Sequence, residues 1–320
     1  MTTLIIRRFL LMIPLLICMS IVIFLLAKLQ TGDAFTGQMD PSVDASYYEE
    51  QREKLGLNDS IPEQYMTWGK NVLQGELGDS IRYKRPVMDL VKERMPNTIL
   101  LGVISLVITY LIAFPLGILS GRKPYSPIDY SIQFINYLML AIPSFVAGVF
   151  AIYVFAFQLG WFPFSGSVAI GVESGSVEYY ISKLYHSILP GTVLGLLSTA
   201  SYVQFLRNDI IENSRKDYVR TARSKGLSES TIYNKHILRN SIIPIVTFFG
   251  ADVLSVFGGA VITETIFSYP GIGKLLIDSI SGKDYPLMMA LLLFFSFLGL
   301  LANLISDIAY SIVDPRIKSN

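Results

Sequence analysis

The sequence is short of charge. Asp, Glu, Lys and Arg make up 16% of its 320 residues, against roughly a quarter in soluble domains. With 52% apolar residues and a positive mean hydropathy, that deficit points to a membrane. A basic excess is missing too: a net charge of +1 leaves no surplus to neutralise phosphates and excludes nucleic acid as a partner. Cys18 is the single cysteine, so the chain can form neither an internal disulfide nor a thiolate metal site. It lies in an apolar run and reads as a small hydrophobe. His186 and His236 are isolated and make no metal site. No G-x-x-x-x-G-K-[ST] occurs: the Gly-Lys pairs opening at Gly69, Gly273 and Gly282 are followed by Asn71, Leu275 and Asp284. The chain therefore supplies no P-loop nucleotide site.

Long hydrophobic runs are what it has. A helix needs about 20 apolar residues to cross the hydrocarbon core. The runs 9–27, 98–119, 132–157, 187–206 and 287–306 contain no Asp, Glu, Lys, Arg or His, and the last is expected to continue to Val313. A sixth run, 241–263, holds one charge, Asp252. Pro14, Pro115, Pro143 and Pro244 fall inside runs, and membrane bundles tolerate them. Six spans are expected.

Basic residues orient the spans. With the N-terminus in the cytoplasm, the inner segments hold Arg7, Arg8, Arg122, Lys123, a cluster between Arg207 and Arg239, Arg316 and Lys318. The short outer loops hold only Lys183, Lys274 and Lys283. This positive-inside asymmetry places both termini in the cytoplasm. The first run is too long for a signal-peptide core, and no small-x-small cleavage site follows it.

Residues 28–97 form a long, roughly charge-balanced outer segment. Short helices are expected over 48–55, over 64–74 after Pro62, and over 87–94 before Pro96. Such a cap is too small to bury a core of its own, and it has no His or Cys cluster.

Between the fourth and fifth spans lies a basic, polar loop, 207–240. The stretch 209–225 lacks Gly and Pro, and its Ile210, Ile211, Tyr218 and Ala222 share roughly one helical side. Gly226 stops that helix. Ser228 or Ser230 can cap a second helix through Leu238, with Glu229 near its positive end, and Pro244 is expected to open the next span. By pattern alone, this loop fits a docking element for a protein partner and a basic topology anchor on anionic lipid equally well.

The residues themselves carry a resemblance. Asp217-Tyr-Val-Arg-Thr-Ala-Arg-Ser-Lys-Gly-Leu227, followed by His236-Ile-Leu-Arg-Asn-Ser-Ile-Ile-Pro244, resembles the Glu-Ala-Ala loop of binding-protein-dependent ABC importer permeases, in the form of the dipeptide/oligopeptide permease family. Ala222, Gly226 and Leu238 keep the general pattern, while Arg220, Thr221 and Arg239 replace its other letters in the manner of the peptide subfamily. Lys54-Leu-Gly-Leu57, Gly75-Glu-Leu-Gly-Asp-Ser80, Arg94-Met-Pro-Asn-Thr98, Glu264-Thr-Ile-Phe-Ser-Tyr-Pro-Gly-Ile-Gly273, Asp284-Tyr-Pro286 and Asp314-Pro-Arg316 also look like that family, in its order. The likeness is to the first of two permease subunits.

The resemblance implies an all-α membrane protein of the bacterial inner membrane: six transmembrane helices with a small extracytoplasmic cap and a cytoplasmic coupling-helix loop. Its parts are 1–27, the outer segment 28–97, and a core 98–320 containing the loop 207–240. It further implies a second homologous permease subunit, two ATPase subunits carrying ATP and Mg, and an extracytoplasmic peptide-binding protein. The chain itself is expected to be non-catalytic and free of cofactor or metal. ATPase coupling is expected at Asp217, Arg220, Thr221, Ala222, Gly226, Leu227, Glu229 and Leu238.

Intramembrane polar groups are candidates for the pathway. Asp252 lies mid-span, where a carboxylate should face the bundle interior; it fits a substrate contact, a subunit contact and a plain interhelical hydrogen bond. Gly258 and Gly259 could let helices approach closely. Asn303 is a second pathway candidate, although it and Asp307, four residues apart on one face, also fit structural hydrogen bonding. Glu264, Tyr269, Pro270 and Gly271 are expected at the outer mouth as a gate or binding-protein contact. Peptides lead as substrate, with nickel chelates, glutathione or other small solutes as alternatives. A secondary transporter is the rival of a different class, but no clear internal repeat supports it.

Overall fold

The computed structural model describes residues 2–29 and 59–313, without the side chains of 2–5, 246–251, 253–259 and 309–313. The expected helix at 48–55 and the motifs at 54–57 and 314–316 lie outside the described residues. The fold is almost wholly helical. Helix α1 is Thr2–Leu29, α2 is Ile61–Leu73, and a two-stranded hairpin pairs β1 (Asp79–Ser80) with β2 (Arg85–Pro86). Then follow α3 (Val87–Arg122), α4 (Pro127–Ala141), α5 (Ser144–Ala151) with a π-helical extension Ile152–Gln158, and α6 (Val177–Ser214). The chain closes with α7 (Asp217–Ser224), α8 (Glu229–Thr231) with the π-helical stretch Ile232–Leu238, α9 (Arg239–Ile266), α10 (Ile272–Ser281) and α11 (Tyr285–Val313).

Among the described residues, α1, α3, α6 and α11 are long and apolar enough to cross a membrane, and α4 with α5 makes a fifth if that bent pair is one span. The bend corrects an expectation. The run 132–157 is not one helix but two, meeting at 98°, because Ile142 turns to extended backbone before Pro143, as a residue preceding proline prefers. Three further boundaries differ. Helix α2 opens at Ile61, ahead of Pro62. Helix α3 starts at Val87 and passes through Pro96 and Pro115 instead of stopping at Pro96, and α9 carries Pro244 inside it instead of opening there.

Among the described residues the α3–α6 pair is the most extensive contact, and small residues make it possible. Gly117 and Gly121 on α3, and Gly191 and Gly195 on α6, each form a G-x-x-x-G step. A Cβ on Gly195 would lie 2.7 Å from the Ser105 carbonyl oxygen, and one on Gly121 would lie 2.8 Å from Ile210 Cβ. Bare backbone at these positions lets the two axes approach closely. Thr109 Oγ1 then donates across the interface to the Gly195 carbonyl at 3.0 Å.

Of the four apolar clusters among the described residues, three mark the length of the bundle. Val87, Leu90, Ile272, Leu275, Leu287 and Leu291 are buried at the hairpin end. Leu101, Leu189, Val193, Phe267 and Tyr269 lie between. Leu206, Ile210, Val219, Ala222, Ile232 and Ile237 are buried at the opposite end, which carries the loop 207–240.

Candidate functional site

At the loop end the backbone folds differently from the pattern in the sequence. The expected helix 209–225 is broken: residues to Ser214 prolong α6, Lys216 is extended (φ −72°, ψ 152°), and α7 begins at Asp217. Neither Gly nor Pro makes this break. Asn213 is the tie instead: its Nδ2 donates to the Asp209 carbonyl at 2.9 Å and to Ser241 Oγ at 3.1 Å, while its Oδ1 accepts from Tyr218 O–H at 2.8 Å. One buried amide therefore joins α6, α7 and α9.

Helix α7 buries Val219 and Ala222 in the loop-end cluster. It stops where Gly226 takes φ +74°. Gly226 N–H bonds the Arg223 carbonyl at 2.9 Å and Leu227 N–H bonds the Ala222 carbonyl at 3.3 Å, the pair of bonds that closes a left-handed helix cap. Ser228 caps α8 by accepting from Thr231 N–H at 3.3 Å. Arg223 straps the turn from outside, with Nε 2.7 Å from Glu229 Oε1 and Nη2 3.1 Å from Oε2. Its guanidinium holds the Glu229 carboxyl below the usual glutamate value. Of the coupling candidates, Asp217, Arg220, Thr221, Gly226, Leu227 and Glu229 are exposed, Ala222 is buried, and Leu238 packs against the same cluster. From Glu229 the helix runs without interruption into α9, so the glycine turn joins α7 to the start of a long helix.

Asp252 faces the bundle interior. Both Tyr110 on α3 and Tyr202 on α6 donate their hydroxyls to its carboxylate, and the two rings meet edge to face with centroids 5.4 Å apart. Its geometry is an interhelical hydrogen bond among α3, α6 and α9. Asn303 is not gathered into this cluster; it is exposed on α11. Asp307, one turn further, pairs instead with Arg8 on α1 at 3.1 Å.

At the hairpin end the motifs meet in pairs. Glu264 and Tyr269, expected at the outer mouth, are fully buried within the chain. Glu264 Oε1 accepts from Thr98 Oγ1 at 2.6 Å, and Oε2 from Lys274 N–H at 2.9 Å. Gly271 must lack a side chain, since a Cβ there would lie 2.1 Å from Glu264 Oε1. The Pro270 carbonyl accepts from Asn97 Nδ2 at 2.8 Å, and the Tyr269 hydroxyl shares a 2.8 Å hydrogen bond with Ser187. Thus Asn97 and Thr98 clasp the turn 264–273. Asp284 does the same for the hairpin: it accepts from Ser80 O–H and from the Ile81 and Arg82 N–H groups, each at 3.2 Å.

One buried ion pair escaped the sequence reading. Asp129 is almost wholly buried and receives Arg207 through Nε at 2.7 Å and Nη2 at 2.6 Å, with Ser120 O–H and Tyr125 N–H (2.7 Å) as further donors. It ties α3, α4 and α6 together at the loop end. The available signal was an acid just before one apolar run and a base just after another.

Two family models match the chain. "Binding-protein-dependent transport system inner membrane component" covers residues 113–319, and its N-terminal companion covers 1–102. Among similar proteins, the oligopeptide transport system permease protein AppB of Bacillus subtilis (strain 168) is 42% identical over 99% of this chain and 100% of its own length. The di/tripeptide transport system permease protein DppB of Pseudomonas aeruginosa (strain UCBPP-PA14) is 34% identical over 99% of each chain. The glutathione transport system permease protein GsiC of Shigella flexneri serotype 5b (strain 8401) is 33% identical over 98% of each. With matches of this extent from end to end, the chain belongs to the binding-protein-dependent transport system inner membrane components, the non-catalytic permease subunits of ABC transporters.

Proposed function

We propose that this permease moves di- or oligopeptides inward, driven through the loop 207–240. The observation that carries the reading is the full-length likeness to permeases named for oligopeptide and di/tripeptide transport. The relative named for glutathione transport is compatible with it, because glutathione is itself a small peptide. Nickel or another small solute is the alternative cargo.

In this reading the sixth span is α9, both termini face the cytoplasm, and α2 with the hairpin forms the extracytoplasmic cap. The functional units are 1–27, 28–97 and 98–320. A second homologous permease subunit completes the pore, two ATPase subunits bind ATP and Mg, and an extracytoplasmic binding protein selects the peptide. This chain contributes no cofactor and no metal site. Asp217, Arg220, Thr221, Gly226, Leu227 and Glu229 offer the ATPase an exposed surface, while Ala222 and Leu238 hold that surface to the bundle. Asp252 acts as an interhelical tie beside the pathway, and Asn303 lies on the face of α11 open to a neighbouring subunit. Glu264, Tyr269, Pro270 and Gly271 serve as a fixed anchor about which the outer gate moves.

The test is uptake of labelled di- and oligopeptides and of labelled nickel by a strain lacking this subunit, with and without the gene restored. Restored peptide uptake supports the reading. Restored nickel uptake alone would replace it with the alternative cargo.

A further inference from the structure

We infer, on the reading that α7 docks the ATPase subunits, that Asn213 is the joint through which movement of α7 enters the spans. It is a positioning residue, four residues ahead of the motif that opens at Asp217.

Helix α7 is held to the bundle in two ways. Val219 and Ala222 sit in the loop-end cluster with Leu206, Ile210, Ile232 and Ile237. Apolar contacts of this kind are non-directional, so a short helix can roll on them. The second attachment has a direction: Tyr218 O–H donates to Asn213 Oδ1 at 2.8 Å. Among the described residues it is the one side-chain hydrogen bond from α7 to α6 or α9. Thr221 bonds the Asp217 carbonyl within α7, and Arg223 turns outward to Glu229 on α8.

Asn213 is buried and uses every polar atom of its amide. The Asp209 carbonyl can only accept, so the amide nitrogen must face it. Nδ2 donates there at 2.9 Å and to Ser241 Oγ at 3.1 Å, which leaves Oδ1 for Tyr218. Ser241, wholly buried in the first turn of α9, passes its own hydrogen to the Ile237 carbonyl at 3.0 Å. A continuous line of bonds thus runs from α7 through one amide into the loop ends of α6 and α9. Away from water such bonds are electrostatically stronger than exposed ones. The same two helices meet again where Asp252 accepts from Tyr202, so a load entering at Asn213 reaches a second tie further along the bundle.

The experiment measures peptide transported per ATP hydrolysed by the complete transporter in vesicles. Tyr218→Phe removes only the α7 bond, and Ser241→Ala only the bond to α9. Each should lower the ratio by roughly fivefold, the scale of one hydrogen bond, while hydrolysis continues. Asn213→Ala should lower it no further than the Tyr218→Phe and Ser241→Ala double variant, because both bonds run through its amide. Thr109→Val removes a buried bond between α3 and α6 and is the stability control: its melting temperature should fall while its ratio stays at the wild-type value. An unchanged ratio in both Tyr218→Phe and Ser241→Ala would overturn the inference and leave Asn213 a structural tie. An equal fall in Thr109→Val would overturn it too, since the ratio would then follow stability alone. Gly226→Pro, run beside them, separates the two readings. If it collapses the ratio and the Asn213, Tyr218 and Ser241 variants do not, the joint fails and the docking of α7 stands.

Discussion

Thr98 and Glu264 are 166 residues apart in sequence and 2.6 Å apart, hydroxyl to carboxylate, in a fully buried site. The same hydroxyl accepts from Ile272 N–H at 2.8 Å, so one threonine ties α3 both to the end of α9 and to the start of α10. Thr98→Val keeps the shape but removes a donor and an acceptor. The expected loss is about 1–3 kcal/mol, the cost of leaving buried polar groups short of a partner. Thr98→Ser should recover most of it. Thermal unfolding of the purified transporter in detergent measures the difference, and equal melting of the Val and Ser variants would show that the hydroxyl is dispensable.

The Asp252 cluster predicts coupled effects. Tyr110→Phe and Tyr202→Phe each remove one hydroxyl donor while keeping the ring. About 1 kcal/mol each is expected, the usual scale for interhelical hydrogen bonds in membranes. The double variant should differ from the sum of the singles, because both hydroxyls serve one carboxylate. A double-mutant cycle on thermal stability tests this; strict additivity would mean that the tyrosines act independently.

The strap between Arg223 and Glu229 predicts a pH and salt response. The folded Glu229 value is lowered by its arginine, so the contribution is present above the ordinary glutamate pKa and is lost as pH falls through the lowered folded value. Between pH 5 and 8 the strap should be constant. Being exposed, it should weaken with salt. Hydrogen exchange at the Gly226 and Leu227 amides reads it out: Glu229→Gln at pH 7 should raise exchange, and high salt should do the same to the wild type. Unchanged exchange in both would remove the strap from the account.

Which of these features the sequence could announce depended on distance along the chain. Apolar runs announce spans because burying a helix in hydrocarbon is a local requirement, and α1, α3, α6 and α11 contain the runs expected of them. The turn at Gly226 was legible for the same reason: a left-handed residue is a local demand. The break after Ser214 was not, since its cause is Asn213 reaching Ser241 on another helix. Pro143 inside an apolar run fits a continuous span, yet it sits at a 98° bend, because proline alone does not say whether neighbouring helices will compensate. Asp129 and Arg207 lay just outside the apolar runs, where charges are expected, and only the fold brings them together. The G-x-x-x-G steps opening at Gly117 and Gly191 are local spacings as plain as the Gly258-Gly259 pair, but only the fold shows that each faces the other helix.

If energy reaches this chain through α7 and its glycine turn, as proposed, Gly226→Pro should expose it most directly. Proline fixes φ near −65°, whereas position 226 needs +74°, so the turn between α7 and α8 cannot keep its shape. The apolar runs are untouched, so membrane insertion should be normal. In reconstituted vesicles containing the complete transporter, peptide transported per ATP hydrolysed should collapse while hydrolysis itself continues. An unchanged ratio would contradict the account.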